Sequence, residues 1–275
     1  MKKYLFIIPS LSKGGAERVV AVLSSELIEQ EREVTVITHF KVKDKYPISP
    51  NVKLICLSDL YEEDYRKRIS TIYLIRLAKK LRKVILQEKP DYILPFLWTT
   101  CVRVDLALIF SKYKKRVIQT VRNNPKIFPS NKLMKVYRNY LVKKSIKTIV
   151  QNEEQKKYFK ESLHNKIFIL PNPVSNDLFN IKRVKLNNEI KIIGVGRLEK
   201  QKNFDMLIEA FRVINSKYKE AKLYIYGEGT LKNHLQQKIT NNDLEGNVIL
   251  QGRSNDYTEI YGDADIFALT SDFEG

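Results

Sequence analysis

Short apolar runs alternate with helix-length amphipathic segments from one end of this chain to the other, and the alternation restarts once. Strands are predicted at Tyr4–Pro9, Glu33–His39, Val52–Leu57, Tyr92–Phe96, Arg116–Thr120, Thr148–Gln151 and Ile167–Leu170. Helices are predicted at Gly15–Gln30, over a basic stretch at Arg66–Lys83, and at Val102–Lys112, Leu133–Lys144 and Glu153–Leu163. A segment without period follows Pro173, and the pattern resumes at Ile190. The second set reads strand Lys191–Gly196, helix Phe204–Tyr218, strand Leu223–Gly227, helix Leu231–Thr240, strand Val248–Gly252, helix Tyr257–Gly262 and strand Ile266–Thr270. Strands that alternate with helices imply an α/β fold with doubly wound parallel sheets. Two domains are expected, over 1–175 and 186–275. The second has four strands where such domains usually have five or six. It is expected to be incomplete, with an uncovered sheet edge.

A chain of 275 residues with 43% hydrophobic content can bury a sizeable core. Its two cysteines have neither a disulfide framework nor metal-ligand spacing, which fits a reducing cytosol. The apolar run Tyr4–Ile8 is too short for a signal peptide, and no stretch approaches the roughly 18 apolar residues of a transmembrane helix.

The net charge of +18 favours anionic partners. It is concentrated in Arg66, Lys67, Arg68, Arg76, Lys79, Lys80, Arg82 and Lys83, with no acid between Asp64 and Glu88. Ile69, Ile72, Tyr73, Leu77, Leu81, Val84 and Ile85 lie among them near helical spacing. Two readings stay open: a helix that docks a basic face on an anionic bilayer, and an ordinary solvated face. Lys112, Lys114, Lys115, Arg116, Lys143, Lys144 and Lys147 extend the field. Such clusters contribute about 1 kcal/mol per charge near an anionic surface.

Five turns carry candidate chemistry. Ser12-Lys13-Gly14-Gly15-Ala16-Glu17-Arg18 opens the first helix, whose N-terminus favours an anion. It is not the dinucleotide fingerprint, which needs Gly-x-Gly-x-x-Gly. Gly196-Arg197-Leu198-Glu199-Lys200-Gln201-Lys202 follows a strand, where ligands of such sheets bind. A guanidinium fork and an ammonium point charge there can stabilise negative charge on a leaving phosphate. Gly227-Glu228-Gly229 and Gln251-Gly252-Arg253 follow the next two strands, as donor-binding turns or as plain turns. Asp272-Phe273-Glu274-Gly275 follows the last. Asp263-Ala264-Asp265 is rejected as a metal motif, because it joins a helix to a strand expected to be buried; its carboxylates are expected to cap and flank. His39, His164 and His234 have no metal-ligand spacing.

These turns together resemble the retaining GT-B glycosyltransferases of family 4, over nearly the whole chain and most specifically over 194–275. The resemblance implies two Rossmann-like doubly wound parallel-sheet domains, the donor bound in the second and the acceptor in the first. It implies transfer of a sugar from a nucleotide diphosphate sugar, UDP-linked, to a glycan or lipid-linked glycan, with retention and without metal or other cofactor. Arg197, Lys202 and Glu274 would be catalytic. Gly15, Gly196, Gly227, Gly229 and Arg253 would bind the donor. Gly14, Glu17, Trp98 and Arg122 would bind the acceptor. In the family's Glu-x7-Glu motif Glu274 is the first Glu, which contacts the donor sugar; the second, which holds the ribose, would lie beyond Gly275. The 275-residue chain is therefore expected to be a truncated form with little activity.

The chain departs from the family at Arg122, where many relatives have a catalytic His. An Arg is no general base at neutral pH; it could bind an anionic acceptor group or the sugar. For Trp98, the sole Trp, stacking on the acceptor and core packing both stay open. Asn152 and Asn172 could bond a sugar or simply punctuate turns. The expected location is cytoplasmic, peripheral at the inner face of the cell membrane. Two other functions fit less: a nucleotide-sugar-binding piece without catalysis, and a basic nucleic-acid-binding protein. The latter has no recognised module, so nucleic acid is not an expected partner.

Overall fold

A computed structural model of the protein describes residues 1–12, 14–67, 71–174, 176–183, 189–254 and 256–272. The chain divides into two compact units, one up to Pro173 and one from Val174 onward.

The first unit holds strands β1 (Lys3–Ile8), β2 (Glu33–Thr38), β3 (Lys53–Cys56), β4 (Tyr92–Pro95), β5 (Ile118–Thr120), β6 (Lys147–Val150) and β7 (Ile167–Ile169). Its helices are α1 (Gly15–Glu29), α2 (Glu62–Lys67), α3 (Thr71–Glu88), α4 (Trp98–Ala107), α5 (Lys132–Lys144) and α6 (Glu153–Lys157). All strand pairs are parallel, in the orders β3-β2-β1-β4 and β5-β6-β7. A parallel bridge from Ile93 to Val117 sets β5 beside β4. The order reverses between β1 and β4, and the strand ends at such a reversal form the crevice where doubly wound sheets bind ligands. Alternation within β1 builds a core on each face of the sheet. Leu5 and Ile7 pack with Leu77, Leu81 and Ile85 of α3, while Phe6 and Ile8 pack with Val19 and Val20 of α1.

One ionic contact ties α3 to this sheet. Glu88 accepts from Lys3 and Lys53, each at 2.7 Å. Burial alone would raise its carboxyl pKa, but these two cations outweigh burial and hold it below the ordinary carboxylate value.

Several predicted boundaries move, each for a local reason. The helix expected at Val102–Lys112 is α4, which starts at Trp98 because Leu97, at φ 70°, turns the chain directly out of β4. It ends by Leu108, and Lys112–Arg116 forms a 3₁₀ turn with Tyr113 N donating to Ser111 Oγ. That turn shortens the strand expected at Arg116–Thr120. The helix expected at Glu153–Leu163 splits, because Lys160 is extended at ψ 138° and a 3₁₀ turn follows at Glu161–Lys166. The basic helix is α3. Its predicted start at Arg66 falls in α2, and 68–70, with Ile69, lie outside the described residues. Ile72, expected to face inward, is 64% exposed.

The second unit holds β8 (Ile190–Val195), β9 (Ala221–Tyr226), β10 (Val248–Gly252) and β11 (Ile266–Phe267), with helices α7 (Phe204–Lys217), α8 (Lys232–Asn241) and α9 (Tyr257–Tyr261). Its strands are parallel in the order β10-β9-β8-β11, and the order reverses between β8 and β11. The last strand departs from expectation. It is two residues long rather than Ile266–Thr270, and both residues are half exposed rather than buried. The chain leaves the sheet there because Thr270 turns to bond the backbone of Lys202 and Asn203.

Candidate functional site

The parallel sheet of the second unit brings the ends of β8, β9 and β10 to one edge, and with them the turns at Gly196, Gly227 and Gly252. The first two turns lie against each other. Gly196 N donates to Tyr226 O at 2.9 Å, Leu198 N to Glu228 O at 3.0 Å, and Leu231 N to Leu198 O at 3.0 Å. Gly227 sits at φ +151°, where a Cβ would overlap Gly196 O. A Cβ on Gly229 would overlap Leu198 O. These two glycines are thus required by the approach of one backbone to another, a reason the sequence does not show. Glu199 closes the pair by accepting from Thr230 N and Thr230 Oγ1.

The cations stand on this base. Leu198 is fully buried and anchors the turn in the core. Its neighbour Arg197 is exposed, and among the described residues its side chain has no hydrogen-bond or ionic partner. Lys202 folds back over Gly196, where a Cβ would meet its Cε at 2.9 Å. Asn203, left-handed at φ 48°, ends this turn and caps α7 by accepting from Met206 N. The segment after β11 grips the same turn. Thr270 Oγ1 donates to Lys202 O and Asn203 O at 3.1 Å each, Asp272 N donates to Gln201 O, and Asn203 Nδ2 donates to Asp272 Oδ1 at 2.7 Å. The turn with both cations therefore lies at the strand-order reversal of this unit. Glu274 lies outside the described residues. Arg253 is exposed, one residue past β10. Asp263 and Asp265 are engaged internally: Lys191 Nζ meets Asp263 at 2.5 Å, and Asp265 accepts from Lys191 N and from Arg183.

In the first unit, the other predicted residues follow the ends of β1 (Gly14, Gly15, Glu17), β4 (Trp98), β5 (Arg122), β6 (Asn152) and β7 (Asn172). Glu17 folds back over Gly14, where its carboxylate leaves no room for a Cβ, and Ser12 Oγ donates to it. A Cβ on Gly15 would meet nothing within 4 Å. Trp98 is half-buried, with its ring edge-on to Tyr137 at 5.9 Å. It lines a pocket together with Arg122. Arg122 is 8% exposed and lies over the Phe96 ring at 5.1 Å. Asn152 caps α6 by accepting from Gln155 N, which accounts for it structurally, and Asn172 is exposed before the unit boundary.

Sequence reasoning missed two buried basic groups here. Arg138 lines the same pocket from α5 and donates to Pro125 O and Phe128 O. Arg103 lies 2.8 Å from His39 Nδ1, and burial together with the Arg103 charge pushes the His39 pKa down to about 3. A single Arg inside an amphipathic helix carries no signal that would have marked either one.

Two family models match the chain: Glycosyltransferase Family 4 over residues 13–178, and Glycosyl transferases group 1 over residues 177–275. An uncharacterized glycosyltransferase of Methanocaldococcus jannaschii is 30% identical over 227 residues, which cover 74% of this chain and 55% of that protein. The chain thus spans about half the length of that relative. A Campylobacter jejuni protein named N-acetylgalactosamine-N,N'-diacetylbacillosaminyl-diphospho-undecaprenol 4-alpha-N-acetylgalactosaminyltransferase is 27% identical over 300 residues, covering 100% of this chain and 76% of that one. Among solved structures, S. aureus TarM, in complex with fondaparinux, alpha-GlcNAc-glycerol and UDP, matches with a TM-score of 0.73 at 14% identity, over 100% of this chain and 82% of that one. The likeness to TarM shows the GT-B fold.

The two kinds of glycine separate experimentally. Gly227→Ala is expected to destabilise the second unit by more than about 2 kcal/mol, through overlap and positive φ together. Gly15→Ala is expected to stay within about 0.5 kcal/mol of wild type. Urea denaturation of both variants checks this; equal effects would contradict the packing account.

Proposed function

For a chain that belongs to the family 4 glycosyltransferases, we propose transfer of a sugar from a nucleotide diphosphate sugar, UDP-linked, to a glycan or lipid-linked glycan acceptor. The observation that carries this is the Arg197–Lys202 turn at the strand-order reversal of the second unit. As the bond from the anomeric carbon to the phosphate oxygen breaks, its electron pair passes to that oxygen. Arg197 supplies a fork of donors and Lys202 a point charge to the developing anion, which gives this turn the charge that a metal would otherwise supply. The acceptor hydroxyl attacks from the same face, so configuration is retained, and its proton passes to the departing phosphate. In the second unit, the turns that contain Gly196, Gly227 and Gly229, together with Arg253, frame the donor, and Glu274 contacts its sugar. Gly14, Glu17, Trp98 and Arg122 serve the acceptor. UDP in the TarM structure and the diphospho-undecaprenol in the Campylobacter name support the choice of donor and acceptor.

Alanine at Arg197 or Lys202 is expected to raise the barrier to transfer by roughly 2–4 kcal/mol while stability changes little. Product formation from UDP-sugars and urea denaturation measure the two quantities. Wild-type turnover by the double variant would overturn the site.

The same reading places the protein at the inner face of the cell membrane, in contact with anionic lipid. No described helix is long and apolar enough to cross a bilayer. On α3, Lys80 and Arg82 are spent on backbone carbonyls, of Leu57 and of Ala107 and Ile109. Arg76, Lys79 and Lys83 remain exposed. Helix α5 adds exposed apolar residues to the basic face of α3: Leu133 is 77% and Val136 67% exposed, flanked by exposed Lys132, Lys143 and Lys144. Binding to phosphatidylglycerol vesicles is expected to fade with salt, and to fall at least severalfold in Leu133→Glu/Val136→Glu with the fold intact. Equal binding to neutral vesicles would rule this contact out.

A further inference from the structure

The pocket between α4, α5 and the end of β5 contains a charge imbalance that the fold leaves uncorrected. Arg122 Nε, Nη1 and Nη2 are all buried and, among the described residues, have no hydrogen-bond partner. Arg138, 5% exposed, lines the same pocket. Its guanidinium is satisfied by the carbonyls of Pro125 and Phe128, by Asn139 and by the rings of Tyr158 and Phe159. Neither guanidinium has a carboxylate partner among the described residues, and no Asp or Glu lines the pocket. Burial costs Arg122 enough to lower its pKa to about 10, still protonated at neutral pH.

Buried charges are normally paired, and a buried donor without an acceptor costs about 1–3 kcal/mol, more when charged. A neutral sugar hydroxyl would satisfy a donor but would leave two like charges uncompensated. An oxyanion corrects both defects, and a planar fork suits phosphate. Gln119, Thr120 and Asn123 line it with uncharged polar groups, and Trp98, Phe128, Pro129 and Leu141 give it an apolar wall. Phe128 is 38% exposed and Ile127 44%, so the apolar lining reaches the surface just ahead of α5. Leu97, at φ 70°, holds Trp98 at the pocket wall; strain of this kind concentrates at ligand sites.

We propose that this pocket is an oxyanion subsite for a phosphate or diphosphate carried on an apolar chain, with Arg122 as the ligating residue and Arg138 as the second charge. The inference rests on the lipid-linked acceptor reading and names the part of the acceptor that the first unit holds. The apolar chain would leave past Phe128.

Trp98 is the sole Trp of the protein and lines the pocket, so its fluorescence reports occupancy. The full chain is titrated with geranyl diphosphate, inorganic pyrophosphate and geraniol, and in parallel with UDP by calorimetry. Geranyl diphosphate is expected to bind at least tenfold more tightly than pyrophosphate, and geraniol not at all. Arg122→Met is expected to lose at least tenfold in affinity for geranyl diphosphate, to keep its UDP affinity, and to melt no lower than wild type, because an uncompensated charge has been removed. A merely structural Arg122 would instead lower the melting temperature. Should Arg122→Met fail to fold, Arg122→Lys serves, with a severalfold loss expected. Wild-type affinity in the folded variant, or equal binding of pyrophosphate and geranyl diphosphate, would overturn the proposal. Binding of UDP with none of the three probes would overturn the subsite and leave the donor reading intact. Binding of geranyl diphosphate without UDP would do the reverse.

Discussion

The turn region of the second unit depends on one close approach between two backbones. Strands β8 and β9 pair in register from Ile190–Ala221 to Val195–Tyr226, so their exit turns emerge side by side. Only glycine at 227 and 229 lets the second turn lie on the first. Once they are in contact, the remaining geometry follows. Leu198 is locked into the core, Arg197 next to it must face solvent, and Lys202 folds across Gly196. Thr270 and Asp272 close the turn from a third side. A pair of cations set on backbone held this firmly can meet a developing charge with little reorganisation, which is where electrostatic catalysis gets most of its effect.

The first unit uses the same parallel architecture in a different way. Its pocket residues Trp98, Arg122 and Arg138 are held by burial and side-chain packing rather than by glycine contact. Arg122 stacks on Phe96, Trp98 abuts Tyr137, and Arg138 ties the 125–128 segment to α5. This arrangement carries an uncompensated positive charge, which is unfavourable in an empty protein and favourable only when an anion arrives. A local cost of this kind is what is expected where a residue is kept for binding rather than for stability.

The alternation of strands and helices was plain from the residues, because parallel strands covered on both faces, such as Leu5–Ile8, read as continuous apolar runs. The Gly-Arg-Leu-x-x-x-Lys and Gly-Glu-Gly turns were legible too, since glycine after a strand implies an unusual backbone. Their reason was not. Local sequence cannot say that Gly227 faces Gly196 rather than a ligand, because the partner lies thirty residues away. The start of α4 was missed because a non-glycine residue, Leu97, takes a positive φ that only its tertiary setting enforces. Arg122 was visible as a departure from a family pattern, but its burial without a partner was not. The exposed apolar residues of α5 were not legible, since an amphipathic helix looks the same whether its second apolar stripe meets protein or solvent.

Hydrogen–deuterium exchange with and without UDP tests the central claim most directly. The account predicts slowed exchange in the three segments that meet at the β8–β11 reversal, 196–203, 227–231 and 268–272, with α3 unchanged. Unaltered exchange in those segments, with slowing along the basic face of α3 instead, would contradict it.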